Sequence, residues 1–289
     1  MAKTYNRNAL VNRVLEITEL NNCFLANFRN PYYFNGEFHP FWEMIYVTDG
    51  QFQVAGEEKI YTMQKGDIIF HKPMEFHRLW TIDNMDIHAF FVGFCAKGNL
   101  LSNLEGGAFV LTKAQQDELG KLIQYVDTTF PCKNNVYLDQ MLRNWSENAT
   151  KVQSFVNAFE LFLMSLTENH TPLTVKEIAN TDDSQIYQQI VKELSANVYG
   201  WITIPEIADK LHFSESQVKR AFAKYSDIGI HKYLLKLKTA AAIRMLGAGM
   251  TPGDISRSLG FANQNYFSAA FKRETGVAPT HYASNLPGK

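Results

Sequence analysis

The chain has 289 residues, 46% of them hydrophobic and 20% charged, with a net charge of −1, the balance of an ordinary globular protein of about two domains. Its three cysteines, Cys23, Cys95 and Cys132, are odd in number and form no CxxC pair; this argues against a disulfide framework or zinc cluster and for a reducing, cytoplasmic setting. The N-terminus has no apolar core of a signal peptide, and no apolar run nears the roughly 18–20 residues of a membrane span, so no membrane partner is expected.

Residues 22–95 are dense in Phe, Tyr, Val, Ile and Trp. Asn35-Gly36, Asp49-Gly50, Gly56, Gly66-Asp67, Pro73 and Asp83-Asn84 punctuate them. Turn signals every 8–12 residues or so predict an antiparallel sandwich or small barrel. The period changes around Gly106-Gly107. Thr112 then reads as an N-cap, and Leu119, Leu122, Ile123 and Val126 share one helical face.

A second helix is predicted over 145–167. Val152, Phe155, Phe159, Phe162 and Leu166 recur at the spacing of a coiled-coil seam. That face is either a homodimer interface or the side on which the helix packs against its own domain; the dimer seam is carried forward. Residues 170–182 read as a linker. The expected fold class is α+β, with a β-barrel domain over 1–110, a helical connector over 111–182 and an all-α domain over 183–289.

The charges divide along the same line. Residues 183–289 carry 13 Lys+Arg against 8 Asp+Glu, and residues 1–182 carry 15 against 21. A basic third on an acidic remainder suits a nucleic-acid-binding half joined to another domain.

The all-α part contains a repeat. In TIPEIADKLHFSESQVKRAF and TPGDISRSLGFANQNYFSAAF, Thr203 matches Thr251, Glu206 matches Asp254 and Ile207 matches Ile255. Leu211 matches Leu259 and Phe213 matches Phe261. After one inserted residue, Val218 matches Phe267 and Phe222 matches Phe271. Thr followed three residues later by an acid is a capping-box start, and Pro205 and Pro252 sit where a missing N–H costs little. Gly260 supplies a left-handed turn; His212 takes that place in the first unit at some cost. Two short helices, a tight turn and an anchored second helix make a helix-turn-helix.

The free faces then present Ser216, Gln217, Lys219, Arg220 and Lys224 in unit one, and Gln264, Asn265, Tyr266, Ser268 and Lys272 in unit two. Arg suits guanine, Asn or Gln suits adenine, and Lys suits phosphate. The helix IHKYLLKLKTAAAIRMLGAG between them spans about 30 Å. That nears the roughly 34 Å of one DNA turn, so one chain can address two adjacent major-groove segments of double-stranded DNA.

Over about residues 185–285 this pattern resembles the AraC family of bacterial regulators, most specifically in GFANQNYFSAAFKRETGVAPTHY. Lys238 stands where that family's linker helix usually has Arg, and Ala269 where the second recognition helix often has Arg. The latter places more of the specificity on unit one and Arg220.

HPFWEMIYVTDGQFQV and YTMQKGDIIFHKPMEFHRL resemble the cupin barrel that precedes many AraC-type DNA-binding domains. His39, Phe41, Glu43 and Ile45 alternate onto one strand face. If that face is inward, His39, Phe41 and Glu43 line a pocket that His77 joins. His71 and His88 are read as surface or strand-packing residues. In metal cupins two histidines and a carboxylate hold iron, manganese or zinc; here Phe41 replaces a histidine, leaving His39, Glu43 and His77. The preferred expectation is an apolar-aromatic pocket for a small polar effector, with no metal and no cofactor. The resemblance implies a sugar or related metabolite as effector, a homodimer as the assembly and RNA polymerase as a further partner. A transcription activator or other regulator is the leading reading, not an enzyme. A cupin-type metal-dependent enzyme with an accessory DNA-binding domain is the alternative.

Overall fold

The computed structural model describes residues 13–34, 36–56, 59–104, 107–131, 138, 141–142, 145–168, 174–175, 182–226 and 228–284. Asn35, Gly106, Cys132, the N-terminal twelve residues and most of the 170–182 linker lie outside them.

The N-terminal half is an antiparallel sheet system. Its strands are β1 (Glu16–Phe28), β2 (Trp42–Gly56), β3 (Lys59–Gln64), β4 (Asp67–His71), β5 (His77–Thr81), β6 (Ile87–Lys97) and β7 (Ala108–Val110). The strand order β1-β6-β2-β4-β7 makes one layer, and β3 and β5 flank the far half of β2. The long β2 therefore belongs to both layers. Asp49-Gly50 is not a turn, as its sequence suggested, but a bend inside β2. Gly50 has φ +84°, and a Cβ there would lie 2.1 Å from the Asp86 carbonyl; the β2–β6 register slips beside it. A glycine bulge lets one strand cross from one layer to the other. Asp83 and Asn84, both at positive φ, do form the expected tight turn between β5 and β6.

Period-two alternation sorts the side chains of β2 and β6 into two cores. Ile45, Val47, Ala89 and Phe91 point into the barrel. Met44, Tyr46, Phe90, Val92 and Phe94 point outward. That outward layer is covered by α1 (Lys113–Thr129) and α2 (Trp145–Glu168). α1 starts on a full capping box, Thr112 with Gln115, which lowers the cost of its exposed N–H groups.

This packing corrects the dimer-seam expectation. Val152, Phe155, Phe159, Phe162 and Leu166 are all buried, none above 4% exposed, in the same core as Phe90 and Phe94. The seam spacing is real, but its partner is the sheet: a stripe of apolar residues covers whichever apolar surface is nearest along the chain. The helices are accordingly part of the barrel domain rather than a separate connector. Two residues of the linker, Thr174–Val175 (β8), pair with β7, so that stretch is anchored rather than free.

The C-terminal part is helical: α3 (Asp182–Ala196), α4 (Ile204–Leu211), α5 (Glu215–Tyr225), α6 (Ile230–Gly247), α7 (Pro252–Ser258), α8 (Gln264–Thr275) and α9 (Pro279–Ser284). It docks against the barrel. Ala55, Ile60, Phe76 and Trp80 share a core with Tyr187, Phe222, Tyr225 and Tyr233. Among the described residues, no helix is long and apolar enough to cross a membrane.

Candidate nucleic-acid interface and ligand site

Each half of the repeat is built as its caps dictate. Thr203 and Glu206 make a reciprocal capping box for α4, and Ser214 and Gln217 make one for α5. His212 takes the left-handed conformation between them, at φ 58° and ψ 39°. In the second unit Thr251 caps α7, while Asp254 meets the Thr251 hydroxyl and Arg257. Gly260 turns the chain at φ +69°. Asn263, which the sequence reading passed over, caps α8 through the Tyr266 amide. An Asx residue at a turn was the available signal.

Val218, Phe222, Phe267 and Phe271 are buried and aim the opposite faces of α5 and α8 outward. Ser216, Lys219, Arg220, Lys224, Gln264, Asn265, Tyr266 and Lys272 are exposed, and Gln217 and Ser268 are half-buried. The Gln217 oxygen is engaged by the Ser214 amide at 2.9 Å, which makes it first a cap. Lys219 pairs with Glu215 and Lys224 with Asp183, each at 2.9 Å. These exposed pairs are weak and open to exchange for phosphate. The hydrogen bond from Lys224 holds the Asp183 carboxyl below its ordinary range.

The linker helix α6, of 18 residues, is about 27 Å long. Its Lys238 is buried, not available to DNA. The ammonium donates to the Val198 carbonyl at 2.7 Å, the Leu259 carbonyl at 2.6 Å and the Gly200 carbonyl. Trp201 and Phe261 lie against it. Burial pushes its pKa down to about 8. The carbonyls pull the other way, because only the charged form offers three donors. Lys238 thereby pins the loop after α3 to the end of α7, where a cation suits the helix C-terminus.

In the barrel, the structure brings His39, Phe41, Glu43 and His77 together as expected. The inward parity of Ile45 extends back to Glu43. His71, read as a surface or packing residue, joins them fully buried. His88 sits apart, hydrogen-bonded to Asn27. Rings pack closely within this group. His39 stacks on Phe41 at 3.8 Å and His71 on His77 at 4.2 Å. A cavity of about 270 Å³ lies between the domains, lined by Met74, Phe76, Val191, Leu237 and Arg244 among others.

The electrostatics of the cluster follow from burial and proximity. Burial opposes ionisation of Glu43, but contact with His77, helped by the charges of His39 and His71, outweighs it and holds the carboxyl at about 2. Burial, with His77 nearby, lowers His39 to about 4. Asn22 donates to Glu43 at 3.2 Å. Glu75 accepts from the Lys72 amide and contacts His71.

Sequence reasoning missed Arg78. On β5 the alternation sends His77 inward and Arg78 outward, into the contact with the helical domain. Arg78 is 1% exposed, lies over Trp80 and Tyr187 and donates to the Tyr33 hydroxyl at 3.1 Å. That hydroxyl donates in turn to the Tyr225 carbonyl, the last residue of α5. A strand centre one residue from a candidate ligand was the only sequence signal. Arg78→Ala is expected to weaken the domain contact by about 1–3 kcal/mol. Faster amide exchange over 77–81 and 230–237, with the barrel core still protected, is the check.

Comparison with known proteins agrees with this division. Residues 23–123 match the family described as AraC-like ligand binding domain, and residues 207–285 match a helix-turn-helix domain. The Msm operon regulatory protein of Streptococcus mutans is 25% identical over 139 residues, covering 47% of this chain and 50% of that protein. The transcriptional activator RhaR of Escherichia coli is 23% identical over 147 residues, covering 50% and 52%. The matched segments thus span about half the length of these curated relatives. The crystal structure of ToxT from Vibrio cholerae aligns over 96% of this chain and 99% of that one, at 15% identity and a TM-score of 0.38.

Proposed function

We propose that the chain, which belongs to the AraC family, is a ligand-controlled transcription regulator, not an enzyme, that reads two adjacent major-groove segments of double-stranded DNA. One observation carries this reading. Two capped helix-turn-helix units, each with its second helix anchored by buried aromatic or branched residues, present polar outer faces and are joined by one 18-residue helix. In this reading Arg220 and Asn265 contact base edges, and Lys224 and Lys272 contact phosphate. The barrel domain takes a small-molecule effector, of which a sugar or related metabolite is the class to try first. Arg78 and its tyrosine partners carry the effector's influence to α5. A homodimer, contact with RNA polymerase and a cytoplasmic location complete the proposal.

The test is selection of bound duplexes from a random library by the full chain, with and without a metabolite panel. A motif spanning about two helical turns is expected. Enrichment no greater than the salt-sensitive non-specific background would overturn it. On the selected site, Arg220→Ala is expected to cost about 1–3 kcal/mol, whereas Lys224→Ala weakens all sequences alike. Equal losses on selected and random DNA for Arg220→Ala would remove its base-reading role.

A further inference from the structure

We propose that Glu37, His39, Glu43 and His77 form a site for one divalent transition-metal ion. The inference goes beyond the DNA-binding reading and does not depend on it.

The case starts from hydrogen-bond bookkeeping. His39 Nδ1 lies 2.9 Å from the Phe41 carbonyl, and His77 Nδ1 lies 3.1 Å from the Glu75 carbonyl. A carbonyl only accepts, so each Nδ1 carries the proton and donates. That leaves each Nε2 as the atom that takes either a second proton or a metal ion. Both Nε2 atoms are buried and turned on the Glu43 carboxylate: His39 Nε2 stands 4.0 Å away without a hydrogen-bond partner, and His77 Nε2 lies in contact at 3.2 Å. A buried carboxylate among imidazole nitrogens needs a cation between them, and a metal ion can take the place of the proton that bridges His77 and Glu43. Histidines whose second nitrogen is tied to a backbone carbonyl are the usual form of metal-binding imidazole.

Glu37 completes the set. The segment leading into β2 runs antiparallel beside β5: the Glu37 amide donates to the His77 carbonyl at 3.0 Å and the His77 amide to the Glu37 carbonyl at 3.1 Å. One ligand atom from each of the four residues lies within 4.8 Å of every other. Around a tetrahedral ion with bonds of about 2.1 Å, ligand atoms stand about 3.4 Å apart, so closure needs movements of roughly 1 Å. Glu37 is exposed and free to supply much of that. Two imidazoles and two carboxylates suit zinc, iron(II) or manganese(II).

The position of Glu37 gives the ion a structural consequence. Its neighbours touch the helical domain: the Gly36 carbonyl accepts from Lys236 at 3.5 Å, and Phe38 packs against both helical cores. An ion at the site would tie this segment to the barrel floor.

The test uses the full chain stripped with a chelator and titrated with Zn²⁺, Mn²⁺ or Fe²⁺ by calorimetry, with no DNA present, so its failure and that of the DNA-binding reading are separate. One ion per chain is expected. Glu43→Gln, which keeps the shape, should weaken binding at least 100-fold, and Glu37→Gln at least about tenfold, the scale of losses at such sites. Circular dichroism of the metal-free Glu37→Gln chain should match the parent, and added ion should slow amide exchange over 36–39 in the parent alone. No binding of any of the three ions at 100-micromolar concentration would overturn the proposal. Binding unchanged in both variants would place the ion elsewhere and overturn it as well. Loss in Glu43→Gln with none in Glu37→Gln would refute the four-residue site.

Discussion

Lys238→Met is expected to destabilise the helical domain by about 3–5 kcal/mol, the scale of removing one partner from a buried charged network. The loss arises because methionine fills the space of the lysine stem but donates nothing. The carbonyls of Val198, Gly200 and Leu259 would then be left buried without the donor that serves them, at about 1–3 kcal/mol each when nothing replaces it. Cation–aromatic contact with Trp201 and Phe261 would go too. Lys238→Arg is expected to recover most of the stability, because a guanidinium also offers several donors without losing its charge. Denaturant unfolding followed by the helical circular-dichroism signal would read both variants. A methionine variant within about 0.5 kcal/mol of the parent would mean that water or relaxation serves the three carbonyls instead.

Phe159→Ala separates the two meanings of the α2 stripe. Phe159 is fully buried, meets Phe94 of β6 edge-on at 5.2 Å and stacks on Phe155 at 5.9 Å. Truncation in such a core costs about 3–5 kcal/mol through lost burial and the cavity left behind. The barrel domain should therefore melt markedly lower. Leu161→Ala, on the exposed side of the same helix at 62% exposure, should change stability by no more than about 0.5 kcal/mol. A Phe159→Ala chain that stays as stable as the parent but changes from dimer to monomer in sedimentation would restore the seam as an interface.

The two largest effects thus fall on residues whose sequence role was read differently. Lys238 appeared as a departure from a family pattern, and Phe159 as one step of a heptad-like series. The first reading came from a family pattern and the second from spacing along one helix. Spacing tells which residues share a face; it does not tell what covers that face. For Phe159 the cover is the outward side of β2 and β6, and for Lys238 it is the carbonyl ends of two other segments.

Local signals fared better where the physics is local. The caps at Thr112, Thr203, Ser214 and Thr251 appear where the sequence put them, because a cap bonds an amide two or three residues away. His212 and Gly260 take positive φ for the same reason: a turn between two fixed helices leaves few conformations. The exposed faces of α5 and α8 follow from Val218, Phe222, Phe267 and Phe271 four residues apart. The repeat, the α+β division and the inward parity of Glu43 were likewise legible, since period-two alternation carries along a strand; His39 and Phe41 lie ahead of β2, in a bend, and reach the cluster through the fold rather than through that alternation.

Residue order alone thus carried the β-then-α division, the helix caps, the doubled helix-turn-helix and the inward side of Glu43. Each depends on contacts within about four residues or on a strict period. Tertiary structure alone decided three things: that the helix stripe faces its own sheet, that His71 and Glu37 join the barrel cluster, and that Arg78 reaches Tyr33 and the end of α5. The physical reason is common to all three. Burial and charge pairing reward whichever groups the fold brings within a few ångströms, and Glu37, His71 and His77 come from separate segments that only strand pairing brings side by side.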